Sequence, residues 1–156
     1  MAYLALKSLH VLSVMLFLGN IITGVFWKMH ADRSGDLKVR AQVLAGIIRS
    51  DQLFTLPAVG LIIVTGILNA LMAHMPILGT PWIAWGLGLF LLSGMAFSMR
   101  VGPLQKKLLA NVEAGIAGAW DQPAYEKLSR DWQLWGAMAT GAPLIVVFLM
   151  VFKPTF

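Results

Sequence analysis

From Gln52 to Met99 the chain carries no Asp, Glu, Lys or Arg. The hydrocarbon core of a bilayer is about 30 Å thick, and a helix of about 20 apolar residues crosses it. This run is long enough for two crossings. His74-Met75-Pro76-Ile77-Leu78-Gly79-Thr80-Pro81 divides it, because two prolines and a glycine are the chemistry of a turn. Ser8 to Trp27 and Trp132 to Phe152 are also uncharged, and each fits one further crossing. Lipid offers no partner to backbone N–H and C=O groups, so spans of this kind fold as helices. The expected fold is all-α: one domain over residues 1–156, a transmembrane four-helix bundle.

Composition agrees. Apolar residues make up 58% of the chain and charged residues 12%, about half of the roughly 25% usual in a soluble domain. The net charge of +5 is not a nucleic-acid signature, since the basic residues flank apolar runs and do not gather with aromatics on one solvated face. No nucleic-acid partner is expected; the expected partner is the bilayer. The absence of cysteine excludes disulfides, thiolate metal sites and cysteine nucleophiles. The first apolar run lacks a basic region ahead of it and is longer than a signal-peptide core, so it reads as a retained span.

Charge also sets the expected orientation. Of the 12 Lys and Arg residues, all but Lys7 and Lys153 lie in the loops between spans one and two and between spans three and four. The positive-inside rule then places both termini outside and both charged loops in the cytoplasm, here that of a bacterium bounded by its inner membrane. Trp27, Trp132 and Trp135 are expected to mark the inner interface, and Trp82 and Trp85 the outer one. Leu37, Leu44, Ile47 and Ile48 share one helical face after a cap at Ser34-Gly35-Asp36. Leu104, Leu108, Val112 and Ile116 form a second stripe after Pro103, and Asp121 with Pro123 starts helix four. Helices two to four are thus expected to extend into the cytoplasm. Gly19, Gly24, Gly60, Gly66, Gly136, Thr140 and Gly141 are small residues suited to close helix contact, and Pro57 and Pro143 to kinks.

Chemistry is sparse. None of the four spans so bounded contains Asp or Glu, which argues against a cation-coupled transporter. His10 is the one ionisable residue well inside a span. At 100° per residue it shares a narrow face with Ser13, Phe17, Asn20 and Gly24, which is expected to face the bundle. Asn69, on helix two near the same depth, is expected to fix the imidazole tautomer by a hydrogen bond. Met72, His74 and Met75 at the outer end of helix two are soft and imidazole donors suited to copper. His30 reads as an interfacial loop residue.

The segment Tyr3-Leu4-Ala5-Leu6-Lys7-Ser8-Leu9-His10-Val11-Leu12-Ser13 and its continuation Phe26-Trp27-Lys28-Met29-His30-Ala31 resemble the first helix of HemJ-type protoporphyrinogen oxidases. Ile48 to Leu53, leading to Thr55-Leu56-Pro57, is a looser match to their second helix. The end, Met150-Val151-Phe152-Lys153-Pro154, is similar to those proteins and to a family of uncharacterised predicted integral membrane proteins, itself distantly similar to HemJ-type and CopD-type proteins. The resemblance implies a b-type haem held by His10, with Arg49 the nearest candidate for a basic residue on helix two; Ser13 and Asn69, placed by face and depth, complete the expected cofactor site. Arg49 stands where the HemJ-type pattern has a lysine, and an arginine neither deprotonates nor readily ligates iron.

Two chemical expectations follow. One is a haem-b-associated membrane redox protein, with His10 as axial ligand, Met72 or Met150 at a matching depth for a second, or the haem shared within a homo-oligomer, and a membrane redox partner. The other is a copper-handling protein using His10, Met72, His74 and Met75. A non-catalytic scaffold or accessory subunit and a carrier of a small neutral substrate complete the set.

Overall fold

The computed structural model describes residues 1–154. Four long helices account for nearly all of them: α1 (Ala2–Ser34), α2 (Leu37–Met72), α3 (Pro81–Ile116) and α4 (Gln122–Phe152). All four are long and apolar enough to cross a membrane, and no strand occurs among the described residues. At about 1.5 Å per residue each is longer than the roughly 30 Å hydrocarbon core. That excess length includes α1, which was not among the helices expected to run on past their spans. His30 consequently lies within a helix and not in a loop.

The caps follow the sequence signals. Gly35 ends α1 with φ of 70°, a left-handed conformation that suits glycine. Asp36 accepts from the Lys38 backbone N–H at 2.7 Å and starts α2, and Asp121 accepts from that of Ala124 at 2.9 Å and starts α4. Both satisfy donors that a helix start leaves free.

Helices α2 and α3 each contain one widened π-turn, Asp51–Thr55 and Phe97–Val101. Their closing bonds, Leu56 N–H to the Asp51 carbonyl and Gly102 N–H to the Phe97 carbonyl, immediately precede Pro57 and Pro103. Proline removes a donor and crowds the preceding turn, and a π-turn is one way a continuous helix accommodates this. Pro143 in α4 is handled otherwise. The carbonyl it leaves free, that of Ala139, accepts from Ser93 Oγ of α3 at 2.5 Å.

Packing is uneven along the bundle. At the charged end α2, α3 and α4 share a core of Leu44, Val101, Leu108, Val112, Tyr125 and Trp132. In the apolar half the helices pair instead: α1 with Leu56–Met72 of α2, and Pro81–Ala96 of α3 with α4. No Cα of Leu56–Met72 comes within 8 Å of one in Pro81–Ala96. The two hairpins are bridged there by Phe17 and Phe90, whose rings lie 5.6 Å apart.

The stripes are partly shifted from expectation. Leu44 and Ile47 are buried as expected, but on α3 the buried line is Val101, Gln105, Leu108 and Val112, and Ile116 is exposed. Trp27 and Trp85 are exposed, as suits interface anchors. Trp132 is instead only 4% exposed and belongs to the core. Among the glycines, a methyl at Gly24 or Gly66 would touch a neighbouring helix, whereas at Gly19, Gly60, Gly136 and Gly141 it would meet nothing within 4 Å. Those four are not close-contact sites.

Candidate functional site

The π-turn of α2 carries Asp51 and Thr55, one turn apart and both buried. Asp51 Oδ1 accepts from Thr55 Oγ1 at 2.8 Å and from Asn20 Nδ2 of α1 at 3.2 Å. Its Oδ2 accepts from Gln105 Nε2 of α3 at 3.0 Å. Asn20 Nδ2 also donates to Thr55 Oγ1 at 2.8 Å. Three helices thus direct neutral donors at one carboxylate, a pattern that satisfies its ionised form. Among the described residues no Lys, Arg or His nitrogen lies within 4 Å of it; the one such ion pair is Lys28 with Asp32.

This node borders a cavity of about 310 Å³ between the two hairpins. Its side walls are largely apolar, with Phe17, Val59, Phe90 and Leu91 among them. Asp51, Asn20, Thr55 and Gln105 all reach it, as do Trp132 and Gly136 of α4. Trp132 Nε1 is buried without a hydrogen-bond partner, and such an orphaned donor in a low-dielectric setting costs roughly 1–3 kcal/mol. A Cβ at Gly136 would meet nothing within 4 Å, so there is room beside it for a larger side chain.

Beyond Trp132 toward the charged end lies a second polar cluster. Lys28 is 1% exposed, pairs with Asp32 at 2.6 Å and hydrogen-bonds Ser129. Its ammonium sits over the rings of Tyr125 and Trp132, at 5.5 and 5.4 Å. Tyr125 donates its phenol proton to Asp32 at 2.5 Å. Arg40 donates to the Asp32 carbonyl at 2.8 Å and stacks on Trp120 and Tyr125. This cluster ties α1, α2 and α4 together.

His10 forms a third polar contact, in the apolar half of the bundle. Its Nδ1 lies 2.9 Å from Thr65 Oγ1, and the Thr65 hydroxyl gives its own proton to the Leu61 carbonyl at 2.5 Å. With that proton committed, Nδ1–H is the donor to Thr65 and Nε2 carries the lone pair. The ring lies against Gly66, where a Cβ would stand 3.2 Å from Cε1. Thr65 therefore occupies the role expected of Asn69, whose Oδ1 is buried without a partner.

The remaining expected site residues lie apart. Ser13 is buried on the His10 face but bonds its own helix, at the Leu9 carbonyl. Arg49 is exposed and outside the cavity lining. Met72 and His74 are exposed, and Met75 is half-buried beside them. Among the described residues no three His, Cys, Asp or Glu side chains gather as a metal-ligand set. Met150 packs against α3, its methyl filling the notch at Gly86.

The residues that sequence reasoning missed were in phase with those it found. Lys28 continues the His10, Phe17, Asn20, Gly24 face by one turn, and Gln105 lies one turn before Leu108. Asp51 stands one residue before the uncharged run from Gln52, so a count of uncharged residues placed it outside the span. The continuous helix buries it.

Comparison with curated proteins and with solved structures returns no match. The family model described as Predicted integral membrane protein (DUF2269) matches residues 4–154, nearly the whole chain. A multi-pass helical membrane protein by its architecture, the chain belongs to that family.

Proposed function

We propose that this protein binds a lipid-soluble molecule in the cleft between its two hairpins, with the molecule's apolar body along the walls and its polar head at the Asp51 end. The observation that carries this reading is a mostly apolar cavity bordered by one buried carboxylate, where Asp51 and its three donors meet. Cavities that hold small molecules combine mostly apolar walls with a few placed polar groups in this way. Trp132, with its free indole N–H, adds a donor beside the same space. The positive-inside distribution supports a cytoplasmic location for the Asp51 end, in a bacterial inner membrane.

Native mass spectrometry of the protein released from mild detergent tests the proposal. The wild type is expected to retain an amphiphile at one per chain, and Gly136→Phe, which fills the cavity, is expected to lose it. Equal retention by both proteins, or no adduct on the wild type, contradicts the reading.

A second reading is favoured by one observation at His10. Its Thr65 bond fixes the tautomer that leaves Nε2 free, as hydrogen bonds do for ligating imidazoles. The donor fits one axial bond to haem iron, and the likeness of the Tyr3–Ser13 segment to HemJ-type proteins supports that ligand. No histidine lines the cavity between the hairpins, and this group would sit elsewhere. When bound, haem supplies one-electron chemistry; His10 would hold it and Thr65 would orient His10. A visible spectrum of the purified protein decides. A Soret band that His10→Ala abolishes is expected on this reading, and a protein colourless even after haem supplementation contradicts it.

A further inference from the structure

The charge that borders the cleft narrows the class of molecule. Asp51 is 7% exposed and satisfied by neutral donors alone: Asn20, Thr55 and Gln105. Those donors stabilise a carboxylate but cancel none of its charge. A buried charge is ordinarily paired. Lys28, the nearest buried cation along the α1 face, is taken by Asp32 and Ser129, and Arg49 is exposed on the surface. The carboxylate borders the cavity, so the partner that the protein does not supply can come from the space beside it. Phe17, Phe90 and Trp132 line the same space, and aromatic faces attract cations as well as apolar bodies.

We infer that the cleft selects a lipophilic cation, an organic molecule with an apolar body and one positive head, and that Asp51 is its counter-charge. The inference rests on the cleft being a binding site, as proposed above, and adds the sign of the ligand's charge. Selection follows from Coulomb attraction in a poorly screened setting. A cation gains the carboxylate as partner, whereas a neutral molecule of the same shape gains only the apolar walls. An anion is repelled.

The test uses two probes of similar size, methyltriphenylphosphonium and neutral triphenylphosphine oxide, titrated into the full chain in lipid nanodiscs, with empty nanodiscs as the partition control. The wild type is expected to bind the cation at least about tenfold more tightly than the neutral probe. Asp51→Asn keeps the side chain's shape and is expected to remove that preference. Should Asp51→Asn fail to fold, the comparison of the two probes on the wild type stands alone. Equal affinity of the wild type for both probes overturns the charge inference and leaves the cleft reading intact. Binding of neither probe, with no response to Gly136→Phe, overturns both. If Gly136→Phe instead turns a dimer into a monomer, a second copy fills the cleft and both readings also fall.

Discussion

At the scale of single residues, a membrane setting makes buried polar side chains expensive. Lys28 illustrates the cost. It is 1% exposed and held by Asp32, Ser129 and two aromatic rings, with Asp32 further fixed by Tyr125. Lys28→Met removes the cation and leaves a partly buried carboxylate facing Tyr125 alone. Breaking a buried pair typically costs about 3–5 kcal/mol, and the 24% exposure of Asp32 puts the expectation here at about 2–3 kcal/mol. Lys28→Met is thus expected to unfold at a clearly lower temperature in detergent. The double variant with Asp32→Asn is expected to recover part of the loss, and strict additivity of the two changes would remove the pair from the account.

The elements were the most legible part of the sequence, for physical reasons that differ along the chain. Uncharged runs and terminal punctuation fixed the four helices, because lipid permits no other use of such segments and because Asp36 and Asp121 cap as their chemistry requires. The candidate site was less legible. The His10 face does face the bundle, with Ser13 and Phe17 buried on it. Asn69 was expected to partner His10, but Thr65, one turn nearer the charged end on the same helix face, does so, because residue counting fixes relative depth only to about a turn. Asp51 was lost to a boundary: a charge beside an uncharged run looks like a helix end, and only a continuous helix with a π-turn turns it inward. Close packing at the charged end makes a sharper prediction for α3. A methyl at Gly115 would stand 2.6 Å from Trp120 Cε3 and 3.1 Å from Leu37 Cδ1, both in a packed setting. One at Gly86 would meet the Met150 methyl at 2.8 Å, the free end of a flexible side chain. Gly115→Ala is therefore expected to destabilise by about 1–3 kcal/mol and Gly86→Ala by well under that. Thermal unfolding of the two variants side by side checks the order, and the reverse order would contradict it.

For the whole molecule, the informative feature is the difference between its halves. The charged end is built like a soluble core, with Leu108 and Val112 fully buried. The apolar half is two hairpins joined through Phe17 and Phe90 over a cavity. The close-packed half and the looser half meet near Asp51, which borders the cavity. Fluorine NMR reads that junction directly. With 5-fluorotryptophan at the six tryptophans, and the Trp132 signal assigned by Trp132→Phe, methyltriphenylphosphonium is added to the protein in nanodiscs. The account predicts that the Trp132 resonance shifts and saturates while those of exposed Trp27 and Trp85 stay in place, and that Gly136→Phe abolishes the shift. A uniform response of all the tryptophans, or none at Trp132 with either the cation or triphenylphosphine oxide, would contradict it.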